Sequence, residues 1–267
     1  MRMLACLSLL FWAACQTAWA EPDAFPGVAS AYLVKADSQV LWTKAPDRRL
    51  PPASLTKIMT GLLVLEYYQP GRLVVVSRQA AAETGSRIGL KAGERMHVDS
   101  LLAAMLIQSA NDACHALADH VAGNERRFVA LMNRRAREWG LGDTRFVNAC
   151  GHDHPGHYSS ARDLAALAER ALAQPVFASL IPIVEGEITT SDGRRHFRLR
   201  NHNALIGRYP GALGVKTGYT PHAGKCLVAL ARRDGREVLL VLLNAPNRWW
   251  DAVDMLDRAF AETHGAA

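Results

Sequence analysis

The chain has 267 residues, 49% hydrophobic and 21% charged, with a formal net charge of +6. That is the composition of a globular protein with one sizeable core or two small ones, and it excludes low-complexity and repeat architectures. The basic excess is dispersed, with no basic stripe interleaved with aromatics, which excludes nucleic acid as a partner.

In chain order, Arg2 precedes an apolar run over residues 4–14, and Ala18-Trp19-Ala20 offers small residues at the −3 and −1 positions of a cleavage site. Residues 1–20 therefore read as a secretory signal peptide cut near Ala20, which leaves residues 21–267 as one catalytic domain in the periplasm or outside the cell. The apolar run is short for a membrane span, and Trp12 does not suit a lipoprotein site at Cys15. Without the leader, 30 basic residues face 25 acidic ones, a mild excess that favours an anionic polymer or membrane surface. Three cysteines remain, Cys114, Cys150 and Cys226. Three do not make a disulfide framework, and isolated buried thiols are expected.

Residues 31–35 and 40–44 read as a β-hairpin across Asp37-Ser38. A helix follows from Ser54, with Ile58, Leu62, Leu63 and Leu65 at helical spacing. Helical patterns then dominate: 101–107 capped by Asp99 or Ser100, 112–120, 128–139 ending at Gly140, and 160–173 stopped by Pro175. Beyond residue 183 the period returns to two. Residues 187–191 and 194–199 flank the turn Asp192-Gly193, 214–217 is a short strand, and 225–232 pairs with 237–243 across Asp234-Gly235. The continuous apolar character of that last hairpin predicts the middle of a sheet covered on both faces. Residues 249–261 form a closing helix, with Trp249 and Trp250 expected to pack inward. Strands at both ends with helices between them predict an antiparallel sheet made from both chain ends with a helical block inserted.

Three short motifs stand at element junctions. Ser54 and Lys57 share a helix face, since side chains three residues apart have Cβ atoms about 5–6 Å apart. A neutral amine at Lys57 can take the Ser54 hydroxyl proton and make a nucleophile. Ser109-Ala110-Asn111 lies in a tight connection between two helices, and Lys216-Thr217-Gly218 lies on a strand, where Gly218 lets a bound backbone approach. Ser54 is the only serine followed by Lys at +3, Ser109 the only one followed by Asn at +2, and Lys-Thr-Gly occurs once. Their order is that of penicillin-binding proteins and class A β-lactamases.

On these motifs the chain resembles the low-molecular-weight penicillin-binding proteins, the D-alanyl-D-alanine carboxypeptidases. The likeness extends to Thr84-Gly85-Ser86, Leu90-Lys91-Ala92-Gly93-Glu94, residues 109–118, Met132-Asn133 with Gly140-Leu141, residues 158–164 and 201–205. It implies the serine β-lactamase/D,D-peptidase-like fold, an α+β architecture with a five-stranded antiparallel sheet, helices and an inserted helical subdomain. It also implies that Ser54 forms an acyl-enzyme on the carbonyl between two D-alanines of a peptidoglycan stem peptide, with Lys57 as proton acceptor. Lys216 is the second cation and binds the terminal carboxylate with Thr217. Ser109 relays a proton, Asn111 holds the substrate amide, and the N–H groups of Ser54 and Tyr219 form the oxyanion hole. β-Lactams are expected as covalent inhibitors, and no cofactor. Tyr219 stands where the family often has His, and His202 where some members carry Arg.

His152, Asp153, His154 and His157 read as a loop bordering the site, and no metal is expected. Arg194, Arg195, Arg198 and Arg200 read as a solvated hairpin face. A D,D-endopeptidase that cuts crosslinks is the alternative activity. A β-lactamase would need a deacylating Glu, and no equivalent segment precedes Lys216. A non-catalytic wall-binding module would not need every polar group of the three motifs. The chain stops just after the 249–261 helix, so neither the family's second β-domain nor its amphipathic anchor is expected.

Overall fold

The structure, a computed structural model, describes residues 23–264, so the expected leader lies outside the described residues. Ala31–Ala36 (β1) and Gln39–Lys44 (β2) form the first hairpin, with Asp37 at φ 50° in its turn. Aspartate tolerates that left-handed conformation better than most residues. Ala53–Thr56 then form a 3-10 turn before the α-helix Lys57–Glu66 (α1). Ser54 thus sits one turn ahead of the α-helix it was expected to open. Ala53, just before it, has φ 48°, so no right-handed helix runs through that residue into Ser54.

The helical block continues through Leu73–Val75 (β3), Arg78–Ala81 (α2), Arg95–His97 (β4), Val98–Ile107 (α3), Asn111–Ala122 (α4), Glu125–Glu138 (α5), Ala161–Leu172 (α6) and Pro175–Leu180 (α7). The β3–β4 pair and α2 are too short for any periodicity to reveal them. Pro175 opens α7 rather than ending α6, because its missing N–H and fixed φ suit the first helical position. Neither Asp99 nor Ser100 caps α3. Its N-cap is His97, without a side-chain bond, and Asp99 instead accepts from the Tyr68 hydroxyl and the Gly71 N–H. The chain closes with Glu185–Thr189 (β5), His196–Arg200 (β6), Ala212–Thr220 (β7), Gly224–Arg233 (β8), Arg236–Leu243 (β9) and Arg248–His264 (α8).

The main sheet has five strands in the order β2-β1-β9-β8-β7, every pair antiparallel, and is built from both chain ends as expected. Alternation along its central strands explains their unbroken apolar sequence. Leu227, Ala229, Val238, Leu240 and Leu242 pack with Met255, Leu256 and Phe260 of α8 on one face. Val228, Leu230, Leu239, Val241 and Leu243 pack on the helical block on the other. Emptying one such buried position, for instance Leu→Ala, costs about 2–5 kcal/mol. No helix among the described residues is long and apolar enough to cross a membrane.

Two further expectations change. Cys114 and Cys150 are joined in a disulfide with Cα atoms 6.0 Å apart, and among the described residues only Cys226 is a free, buried thiol. Cys114 lies on α4 and Cys150 in an irregular segment 36 residues later, a proximity that only packing creates. Trp249 packs on the α8 core, but Trp250 is 78% exposed and does not pack.

Candidate active site

Lys57 is the first residue of α1, and its side chain is fully buried. Its Nζ donates to Ser54 Oγ at 3.0 Å, to Asn111 Oδ1 at 2.7 Å and to the Cys150 carbonyl at 2.6 Å. Burial holds its titration well below the usual lysine value, the nearby Lys216 charge pushes the same way, and Glu83 opposes. The start of α1 is stitched to residues 149–157: Thr60 Oγ1 donates to Ala149 O at 2.6 Å, and Thr56 Oγ1 meets His157 Nε2 at 2.9 Å. Burial and the charges of His154, His152 and Lys57 lower His157 to about 4, so it is neutral at ordinary pH.

Ser109 occupies the turn between α3 and α4 with φ 62°, an uncommon conformation for a non-glycine residue and one that local bonds must hold. Those bonds come from residues 84–90. Asn111 N donates to Ser86 O at 2.7 Å, Asn111 Nδ2 to Thr84 O at 2.6 Å, and Ser86 Oγ to Gln108 O at 2.9 Å. The Asp112 carboxylate takes the N–H groups of Ile88, Gly89 and Leu90. Asn111 Oδ1 is thereby aimed at Lys57, and one Nδ2 hydrogen stays available for a ligand.

The third motif lies on β7, an edge strand of the main sheet. Lys216 Nζ donates to Ser109 Oγ at 2.8 Å and to Thr217 O at 3.0 Å. Its side chain is buried, and burial together with the Arg248 charge lowers it to about 7. A Cβ on Gly218 would lie 3.0 Å from Pro52 O and 3.1 Å from Ser54 N, so only glycine lets β7 come this close to the Ser54 turn. Tyr219 is 61% exposed. Arg248, at the start of α8, donates from Nη1 to Gly218 O at 2.6 Å and to Cys226 O at 3.1 Å, and its guanidinium lies over Trp249. His202 is exposed, and partial desolvation with the charges of Lys216, Arg200 and Arg248 holds it below its ordinary titration.

The fold therefore brings these residues together: Lys57 bonds Ser54 and Asn111, Lys216 bonds Ser109 within the electrostatic reach of Lys57, Gly218 packs on the Ser54 turn, and His202 feels the Lys216 charge. The His-rich loop borders this network, but its side chains diverge. His152 pairs with Glu83, Asp153 accepts from Thr220 and His222, and His157 meets Thr56. Among the described residues, Glu83, His115 and Glu125 present possible ligand atoms within 4.8 Å, although Glu83 Oε1 is already bonded to His115 Nδ1. Of the four expected solvated arginines, Arg195 instead pairs with Glu94 and lies over Phe197. Glu83, Arg248 and the Cys150 carbonyl had no sequence signal, because each meets its partners across more than 20 residues.

Chemically, a buried amine held against a serine hydroxyl, beside a second buried amine and a backbone N–H, is an arrangement for nucleophilic acyl transfer. Comparison with known proteins agrees. The family model for D-alanyl-D-alanine carboxypeptidase, peptidase S11, matches residues 21–247. The D-alanyl-D-alanine carboxypeptidase DacF of Bacillus subtilis is 40% identical over 88% of this chain, which spans 63% of that relative. DacB2 of Mycobacterium tuberculosis is 32% identical, over 91% of this chain and 89% of its own length. The crystal structure of the Streptomyces K15 DD-transpeptidase superposes with a TM-score of 0.82 at 30% identity, covering 88% of this chain and 97% of that one. A family match over most of the sequence, on the fold and buried network just described, means that the chain belongs to the D-alanyl-D-alanine carboxypeptidase family of S11 peptidases.

Proposed function

We propose that the protein is a serine-type D-alanyl-D-alanine carboxypeptidase that removes the terminal D-alanine from peptidoglycan pentapeptide stems. The observation that carries this reading is the Lys57 amine, fully buried and 3.0 Å from Ser54 Oγ, within the field of Lys216. A lysine in water is protonated at neutral pH and cannot act as a base; burial and a neighbouring cation favour the neutral amine. Ser54 Oγ attacks the carbonyl between the two D-alanines as its proton passes to Lys57. The N–H groups of Ser54 and Tyr219 receive the oxyanion. The proton taken by Lys57 is relayed to the departing amine through Ser109, which is hydrogen-bonded to Lys216 Nζ and gives up one proton as it receives another. D-Alanine leaves, and water then releases the acyl chain from Ser54. Lys216 and Thr217 receive the substrate carboxylate, and Asn111 its amide. His202, held below its ordinary titration, is neutral near pH 7 and contributes less charge to that carboxylate than an arginine would. Penicillin acylates the same hydroxyl.

The Cys114–Cys150 disulfide supports export to an oxidising compartment. A second reading is transfer of the acyl group to an amine instead of water, or cleavage of crosslinks. It is favoured by the name of the Streptomyces structural relative, a DD-transpeptidase. Incubation with diacetyl-Lys-D-Ala-D-Ala, alone and with an amine acceptor, and with a crosslinked muropeptide dimer, separates the readings. D-Alanine release from the tripeptide alone is expected. Dimer cleavage without D-alanine release from the tripeptide overturns the carboxypeptidase assignment. Ser54→Ala is expected to abolish both activity and covalent labelling by fluorescent penicillin.

A further inference from the structure

Lys57 Nζ has two protein acceptors besides Ser54, and they come from separate parts of the fold. Asn111 Oδ1 belongs to α4, and the Cys150 carbonyl to the irregular segment 148–157. The disulfide joins these same two pieces: Cys114 lies one turn beyond Asn111 on α4, and Cys150 itself carries the acceptor carbonyl. We propose that the Cys114–Cys150 disulfide is a positioning device for acylation, fixing the Cys150 carbonyl on the Lys57 amine in register with Asn111.

Segment 148–157 is also tied on both sides of the bond. Before it, Ala149 N donates to Glu125 and Ala149 O accepts from Thr60. After it, His152 pairs with Glu83 and Asp153 with Thr220. Gly151 lies directly on Ala53, where an added Cβ would come within 2.0 Å of the Ala53 carbonyl. These ties keep the segment folded without the disulfide, so its loss is felt locally, at residue 150 and at the amine that residue faces. With the carbonyl free to drift, water reaches Lys57 and the desolvation that keeps the amine neutral weakens. Lys57 is also faced by Lys216 of β7, Glu83 and His157. Lys216 lies on neither cross-linked piece, and Glu83 and His157 keep their own bonds to His115, His152 and Thr56 when the bond is removed. With those bonds in place, a change in Lys57 titration reports its solvation.

The inference rests on Lys57 acting as the base for Ser54. The test compares wild type with Cys114→Ala, Cys150→Ala and the double variant by the rate of fluorescent penicillin acylation from pH 6 to 10, with the final labelled fraction as the measure of folded sites. The variants are expected to label to the wild-type fraction but about 10- to 100-fold more slowly at pH 7. The double variant should be no slower than either single one, because the two sulfurs act as one unit. The acid limb of the profile should move to higher pH, so that the deficit narrows as the pH rises. An unchanged acid limb, with or without a uniform drop in rate, overturns the proposal.

Should the variants not fold, the wild-type enzyme is opened with dithiothreitol. The reagent supplies two electrons and two protons to the S–S bond and becomes its own cyclic disulfide. Alkylated thiols counted by mass should rise in step with the loss of rate, and reoxidation should restore it; full reduction at constant rate overturns the idea. Wild-type protein that takes no penicillin at any pH sinks the acyl-enzyme reading and this inference with it. Equal labelling rates at every pH for wild type and all three variants sink this inference alone.

Discussion

Two lysines with almost no exposed surface are an expensive feature at the scale of single residues. Burial disfavours the ammonium at both; the Lys216 charge presses further on Lys57, and the Arg248 charge on Lys216. Because the folded-state titration of Lys216, about 7, lies below its unfolded value, the unfolded chain binds more protons between the two. The resulting penalty is full below pH 7, fades as the pH rises towards 10.5 and vanishes above it. Lys216→Met should therefore slow acylation and yet raise the thermal midpoint at pH 6 by at least about 2–4 °C, the shift that ~1 kcal/mol gives in a domain this size. The gain should shrink by pH 10. Melting curves of both proteins across that range check the sign, and a gain that is constant with pH contradicts it.

Among the elements, the 3-10 turn of residues 53–56 and the strand β7 decide how closely Ser54 approaches Gly218, a spacing on which the proposed oxyanion site depends. Their separation is set at Gly218, where any Cβ would press on Pro52 O, Ala53 Cβ and Ser54 N at 3.0–3.1 Å. Gly218→Ala should push the turn away by a few tenths of an ångström. The expected result is acylation slower by about 10- to 100-fold, with β7 still paired to β8 and little change in melting. A variant that acylates at the wild-type rate would show that the gap is not tuned. Most elements on this scale are legible in the sequence. The β1–β2 and β8–β9 hairpins announce themselves by alternation and turn residues, and α4, α5 and α6 by apolar spacing. What escaped were three-residue strands, the true start of α1 and the role of Pro175, each fixed by a single backbone torsion or by too few residues to carry a period.

On the scale of the whole molecule, Glu83 ties α4 to segment 148–157 through His115 and His152, at 2.6 and 2.8 Å. Burial alone would raise its carboxyl, but the two imidazoles hold it at about 2. Burial alone would lower His115, but the Glu83 bond, with Glu125 and Asp119 nearby, raises it above 6.5. The carboxylate contribution is present above its unfolded value and is lost as pH falls towards 2. The imidazolium contribution is full below 6.5 and is lost as pH rises through the folded value. Glu83→Gln should thus destabilise by about 1.5–3 kcal/mol near pH 5.5 and by clearly less at pH 8.5. Denaturant midpoints at the two pH values measure this, and equal losses would remove the charged pair from the account.

The sequence by itself determined the longer strands and helices and the three chemical motifs, because propensity, period and short spacing are local properties of the chain. It also carried the family likeness, in residues strung along most of its length. Only the tertiary structure decided that Lys57 is dry, that Lys216 pairs with Ser109 across 107 residues, and that Cys114 and Cys150 are bonded. Burial, proximity and titration are properties of packed neighbours, and no pattern along one chain specifies which distant atoms will exclude water from an amine.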